Sequence, residues 1–552
     1  MVGCHLIGGV SDLEYVDGAT GGAGTGTGTA SPGGGEVGGS GGGGGTTCTI
    51  DPCEAPCCVD CMPAAAGDDC GPGICDGSGF CAMGTFGDAT MYGGEEREEA
   101  AAVVAIGDGR LFVAGHSVQG APVPFGNGVE LESGATGAFL TGFDSQGVAS
   151  WTWRLASMPA GGDRRIRAML ATENDDVVLG GSFSAHVALV KDVQFQAVFE
   201  IASTPSDTDE DAFVGMVDSD GNAKWLWSSG GTLDNETIHD VAVVGDYVVA
   251  VGTMGPGTFN FAGKVIGDTS NTNDAGFVLV FDATTGEPVD GESWSCLFAN
   301  ATGIATTPDG GIWVVGTYTG AGCIVFDDQL TFVDGGTYPY IARLELDTGS
   351  SPVLAVPDGV AVTVESFGGS SKAIVESGLS VVSSGDGVVI AGTFRNNSSD
   401  GIDFGGGHVV SNTTSLFRPF LVGFDAEGSR WVRDIDGGGD ITIHQLVSDA
   451  VGNIVVVGDL ESGGSITESP FNYTNNDNNL DGFLMKLAAV DGADVLWGLG
   501  SSTSDEDHLE SVAVSPTGRL WGVGWGVSLS MWGAPTHPDL TDYNIVLFDV
   551  TP

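Results

Sequence analysis

The stretch Ile238 to Met254, IHDVAVVGDYVVAVGTM, recurs in seven versions along the chain, and a unit repeating at this period limits the fold more than any single residue does. Each version reads as two short apolar strands joined by a tight turn and closing on Val-Gly-Thr or a variant of it. The others are AAVVAIGDGRLFVAGHS (101–117), IRAMLATENDDVVLGGSF (166–183), ATGIATTPDGGIWVVGTY (301–318), GLSVVSSGDGVVIAGTF (378–394), IHQLVSDAVGNIVVVGDL (443–460) and LESVAVSPTGRLWGVGWG (509–526). The glycines closing the second strands are Gly115, Gly181, Gly252, Gly316, Gly392, Gly458 and Gly524, spaced 64 to 76 residues apart. Each is read as a residue kept small at a strand end.

A third strand follows every pair: AFLTGFD (138–144), AFVGMVD (212–218), GFVLVFD (276–282), YIARLELD (340–347), PFLVGFD (419–425), GFLMKLAAVD (482–491) and NIVLFD (544–549). Asp and Gly then make a turn, as in Asp218-Ser219-Asp220-Gly221 and Asp425-Ala426-Glu427-Gly428. There Asp caps its own backbone and Gly takes positive φ. A fourth strand carries tryptophan, at Trp151 and Trp153, Trp225 and Trp227, Trp294, Trp431 and Trp497. Four antiparallel strands per repeat is the blade of a β-propeller. The fourth repeat departs from the pattern, since PVLAVPDG lacks the Trp and holds two prolines.

The seventh repeat reaches Pro552 with three strands, while TFGDATMYGG (85–94) aligns with fourth strands such as KWLWSSGG (224–231). The expectation is an all-β fold, a seven-bladed β-propeller over 83–552 whose last blade is closed by an N-terminal strand. Closure removes the sheet edges that would otherwise pair with other molecules.

Composition agrees. The 552 residues include 93 Gly and only 16% charged residues, which favours short strands and turns. With 73 acidic against 17 basic side chains the net charge is -56. That balance speaks against nucleic acid, where Lys and Arg must neutralise phosphates, and against electrostatic docking on anionic lipid. It fits an acidic, self-repelling protein in a salt-exposed compartment, and a monomer is expected. No apolar run is long enough to span a membrane as a helix.

Ahead of the repeats lie a tether (1–47) and a cysteine-rich mini-module (48–82). From Gly18 to Gly45, 16 of 28 residues are Gly. Such a segment behaves as a flexible coil reaching roughly 30 Å. Cys48, Cys53, Cys57, Cys58, Cys61, Cys70, Cys75 and Cys81 then fall within 34 residues. Eight cysteines with little apolar material between them point to four disulfides, whose connectivity the spacing leaves open. A zinc site on Cys58-x-x-Cys61 is the alternative, without a His or a second Cys-x-x-Cys in the module. Cys296 and Cys323, flanking a strand pair in neighbouring repeats, form a further disulfide or stay as buried thiols.

Two resemblances bear on function. Met1-Val2-Gly3-Cys4, a small residue before Cys at the head of a flexible segment, resembles the end of a bacterial lipobox. It implies lipid attachment at Cys4, with the apolar signal region lying upstream of Met1; a stray Cys in a tail is the other reading. The Val-Gly-Thr strands, the third-strand starts Asp211-Ala212-Phe213 and Asp481-Gly482-Phe483, the Asp-x-x-Gly turns and the Trp strands look like the bacterial β-propeller repeat proteins. Many of those are secreted or lipid-anchored, notably in myxobacteria, so the resemblance implies an extracellular or outer-membrane surface location.

Candidate chemistry is sparse. His239 and His444 start first strands at equivalent places, with His508 nearby, so three imidazoles could meet at one mouth of the channel and bind a metal; turn and capping roles are the alternative. Asp207, Asp209 and Asp211, and separately Asp477, Asn479 and Asp481, partly match calcium loops. Each lacks an element, Gly at position six in the first and the bidentate Glu in the second, and acidic surface loops are the alternative reading. Calcium is the ion these loops would take, and no cofactor is expected. No nucleophile elbow, His-Glu-x-x-His pair or phosphate loop occurs. The reading that follows is a non-catalytic surface lipoprotein whose propeller binds a protein or polysaccharide at the envelope. The competing class is a carbohydrate-active hydrolase or lyase using carboxylates at the channel mouth.

Overall fold

The computed structural model describes most of residues 85–551, together with two short strand pairs in the cysteine-rich segment, Cys58–Val59 with Met62–Pro63 and Ile74–Cys75 with Cys81–Ala82. Cys4, Cys48, Cys53, Cys57, Cys61, Cys70 and Cys296 lie outside the described residues, as do the side chains of Cys58, Cys75, Cys81 and Cys323. Asp207, Asp209 and Asp477 lie outside them too.

The described residues form strands and no helix. The third repeat shows the unit: Glu236–Val244, Tyr247–Met254, Ala275–Asp282 and Pro288–Ser295 pair in that order, each antiparallel to the next. The second and sixth repeats give the same four-stranded sheet. In the first, His186–Val190 and Ala197–Ile201 add to the outer edge. In the fourth repeat two short strands, Val353–Ala355 and Val364–Ser366, stand in the place of one outer strand, both paired with Thr337–Asp347. The last sheet runs Asp507–Val514, Leu520–Gly526, Asn544–Thr551 and then Thr85–Tyr92, so a strand from the beginning of the sequence completes a sheet built from its end.

The innermost strands touch in a cycle. Arg97–Ala105 meets Arg164–Ala171, followed by Glu236–Val244, Gly303–Thr306, Ser380–Ser384, Ile441–Ser448 and Asp507–Val514, which returns to Arg97–Ala105. Side chains latch neighbours together along this inner ring. Asp240 Oδ2 accepts the Ile304 N–H (2.9 Å), Ser380 Oγ that of Leu446 (3.0 Å), Gln445 Oε1 that of Val512 (2.8 Å) and Ser511 Oγ that of Val103 (3.1 Å).

Two further devices join the sheets. The Asp-x-x-Gly turns form as their residues dictate: Asp218 Oδ1 accepts the N–H groups of Asp220 and Asn222, and Gly221 takes φ 76°. A Cβ on Gly221 would also lie 2.6 Å from the Trp151 ring of the preceding repeat, so the turn glycine is needed for close approach as well as for φ. The second device was not legible as strands. Between second and third strands lie small hairpins such as Val123–Gly126 with Val129–Leu131 and Gly257–Phe261 with Lys264–Asp268. They wedge aromatic rings between one repeat's third strand and the preceding repeat's fourth. Phe125 packs against Phe143 on one side and Tyr92 on the other, and Phe261 against Phe281 and Trp227. Each buried ring of this kind contributes about 1.5–3 kcal/mol.

Removing Thr85–Tyr92 is expected to leave the edge of Asn544–Thr551 open and to yield multimers by size-exclusion chromatography with a lowered melting temperature. A monomer melting like the full chain would show that the strand does not close the structure.

Candidate functional site in the axial channel

The inner strands do not pair evenly with their neighbours. In five repeats one residue is extra at the start of the first strand, at Ala101, Arg167, His239, His444 and Glu510, producing a β-bulge. These residues, freed from the ladder, line an axial cavity of about 640 Å³. The rest of its wall is mostly small or apolar, as in Val103, Ala168, Ala242, Ala305, Val381 and Val512.

The bulge also explains the repeated glycine, which sits within the second strand and not at its end as the sequence suggested. The bulge turns the preceding carbonyl toward the second strand, where no side chain fits. A Cβ would fall 2.1 Å from the Thr237 oxygen at Gly252, and 1.9 Å from those of Thr442 and His508 at Gly458 and Gly524.

Three of the polar bulge residues then reach the residue after that glycine. His239 Nε2 shares a hydrogen bond with Thr253 Oγ1 (3.0 Å), His444 Nε2 bonds Asp459 Oδ2 (2.9 Å) and Trp525 Nε1 donates to Glu510 Oε1 (3.1 Å). In the sixth repeat, where Val-Gly-Asp replaces Val-Gly-Thr, this makes an ion pair. Asp459 Oδ2 also bonds His508 Nδ1 at 2.5 Å, and its Oδ1 accepts the Leu509 N–H. His508 stacks on Trp525 at 3.7 Å between ring centroids, and Arg97 lies 5.0 Å from the same ring.

Electrostatics follow from these contacts. Burial works against the charge on His444, but Asp459 and then Glu510 hold its pKa up at about 9. Burial likewise opposes ionisation of Asp459, yet His444 and His508 hold it down at about 2. His508 is raised: burial opposes its charge, and Asp459, Glu506 and Glu510 together outweigh it. Among the described residues His239 has no carboxylate partner, and burial, aided by the Arg167 charge, pushes it down to about 4 and leaves it neutral at pH 7. Asp240 is pushed up to about 7 by burial, against two backbone N–H donors.

Of the three imidazoles singled out by sequence, the fold brings His444 and His508 together on Asp459 and leaves His239 with Thr253. Among the described residues no group of three His, Cys, Asp or Glu is placed to hold a metal. Of the calcium-like residues within view, Asp211 is buried in the strand Glu210–Val217, and Asp481 accepts the Tyr473 hydroxyl. The carbonyl of Asn479 accepts from Asn475 Nδ2 (2.7 Å). Sequence reasoning missed Asp459, Glu510 and Trp525; the change from Thr to Asp or Trp after the glycine was the available signal.

No protein-family model matches the chain, and no curated relative matches it. Among solved structures it is similar to a protein of unknown function from Dyadobacter fermentans (10% identity, TM-score 0.38, covering 85% of this chain and 98% of that one). It is also similar to the hydrazine synthase of Kuenenia stuttgartiensis (10%, 0.38, 77% and 92%) and to a quinohemoprotein alcohol dehydrogenase of Pseudomonas putida (13%, 0.32, 83% and 76%). The fold assignment rests on the strand pairing and not on these likenesses. By that pairing, the chain is an all-β, propeller-like repeat protein.

Proposed function

We propose that this is a secreted or cell-surface lipoprotein whose seven-bladed β-propeller acts as a non-catalytic binding module. Cys4 carries the lipid, the Gly-rich tether spans to a disulfide-rich module at 48–82, and the propeller over 83–552 is closed by the strand Thr85–Tyr92. Its ligand is an envelope protein or polysaccharide. The observation that carries this reading is the state of the polar groups on the axis. Three of them, set in a mostly small and apolar wall, are tied to second-strand partners behind it, His239 to Thr253, His444 to Asp459 and Glu510 to Trp525. A catalytic acid or base has to face substrate with its proton available; these side chains brace the inner end of the ring instead.

The test is a pull-down with the full chain against envelope proteins and polysaccharides, with release of reducing ends followed in parallel. Retention of a ligand without turnover is the expected result, and turnover overturns it. Incorporation of labelled fatty acid, lost in Cys4→Ser, checks the anchor in a chain expressed with an upstream signal. We assign no cofactor, so a chelator is expected to leave the melting temperature unmoved; a drop would place structural calcium on the acidic loops.

A further inference from the structure

A second cavity of about 640 Å³ lies between the third and fourth repeats, at the end of the ring where first strands begin and second strands finish. Its size is within the roughly 300–1,000 Å³ of small-molecule sites. The chemistry of its lining is unlike that of the axis. Among the described residues its lining has no Lys or Arg, and Asp274 is the one carboxylate. Hydroxyls come from several threonines, Thr237 and Thr253 among them, and amides from Asn235 and Asn300. Phe298 also lines it and is 50% exposed, one of the few large apolar side chains given to solvent.

Asn300 is held in place, and neither it nor its polar neighbours are fully used. Asn300 Oδ1 accepts both the Thr317 N–H (2.7 Å) and its hydroxyl (3.1 Å), which fixes the amide while its Nδ2 makes no hydrogen bond to a described residue. The Thr237 hydroxyl and the Asp274 carboxylate likewise have none among the described residues. His239, neutral at pH 7, reaches this cavity as well as the axial one, so its ring offers no net charge to a ligand.

An exposed aromatic ring beside fixed neutral donors and acceptors matches a molecule with a flat C–H face edged by hydroxyls. The ring covers the apolar face, and the amide and hydroxyls replace the water bonds of the edge. A polyanion finds no cation in the lining and meets a chain of net charge -56. We propose that this pocket is a binding site for a neutral saccharide, with Phe298 as the stacking platform and Asn300 and Thr237 as hydroxyl partners. The proposal rests on the binding-module reading and gives it a ligand class and a location.

The full chain is applied to immobilised neutral polysaccharides (β-glucan, mannan, galactan) and anionic ones (alginate, polygalacturonate), and affinity for an oligosaccharide of the retained polymer is measured by calorimetry. A neutral polymer is expected to be retained, with an affinity that does not change between low salt and about 0.5 M salt. Phe298→Ala is expected to weaken binding about tenfold or more, roughly 1.4 kcal/mol. Asn300→Asp, which keeps the acceptor for Thr317 and removes the Nδ2 donor, is expected to do the same. Melting temperatures of both variants should match that of the unmodified chain, so that loss of binding is not loss of fold. Retention only of anionic polymers, or unchanged affinity in Phe298→Ala, overturns the site. Capture of an envelope protein with no saccharide retained overturns the ligand class and leaves the binding module standing. Cleavage of a retained saccharide does the reverse: it removes the non-catalytic reading and keeps the pocket.

Discussion

Gly458→Ala is expected to lower stability by about 3 kcal/mol, at the upper end of what overpacking costs. The added Cβ would lie 1.9 Å from the Thr442 carbonyl oxygen, a backbone atom held by the bulge at His444. A flexible side chain could step aside, but a backbone carbonyl in a paired strand can do so only by moving the strand. Gly385→Ala serves as the comparison: it sits in a turn at φ 63° with nothing within 4 Å of a Cβ, so it carries only the left-handed backbone penalty of about 1–2 kcal/mol. Urea unfolding of the two variants separates collision from strain. A midpoint for Gly458→Ala no lower than that of Gly385→Ala would falsify the collision account.

Asp459→Asn is expected to cost about 3–5 kcal/mol near pH 6, because it leaves two imidazoles without the buried charge they share. The pH dependence identifies the cause. Asp459 has a folded pKa lowered to about 2, so its contribution is present above the unfolded carboxylate range and is lost as pH falls through about 2. His444 has a folded pKa raised to about 9, so its contribution is full below the unfolded value near 6.5 and is lost as pH rises through about 9. Both shifts describe one interaction and count once. The unmodified chain should therefore hold this stabilisation between about pH 4 and 6.5 and decline on both sides. In Asp459→Asn the decline between pH 6.5 and 9 should vanish or reverse, since a buried His444 without its carboxylate resists protonation. Denaturation midpoints measured from pH 3 to 10 give the profile, and parallel curves for the two proteins would rule out this pair as the titrating unit.

Much of the architecture was legible because it is local. Strand alternation, the Asp-x-x-Gly turns and the fourth-strand tryptophans are each set within a few residues, and Thr85–Tyr92 showed itself by likeness to the other fourth strands. The fourth repeat announced its irregularity through its prolines, which cannot donate to a ladder. What escaped notice depends on register. A bulge is invisible in a hydrophobic pattern that tolerates one extra residue, so the glycines were read as strand ends. For the same reason the pairs His239 with Thr253 and His444 with Asp459, about fifteen residues apart in sequence, could not be drawn. The hairpins carrying Phe125 and Phe261 were missed because four residues of strand leave little periodicity, although a Phe close to a Gly-containing turn was there to see. Phe298 and Asn300 were not read from the sequence as parts of a site. Their role arises only where two repeats meet.

The bulge also frees one position in each of five repeats for variation. Its backbone stands outside the register, so strand pairing does not fix its side chain, and the chain has placed Ala101, Arg167, His239, His444 and Glu510 there in turn. Around the axis these positions act like the wheels of a combination lock. Where a wheel is uncoupled, as at Ala101, the lining of the channel can change without the ring; where it is coupled, as at His444 with Asp459, the two must turn together.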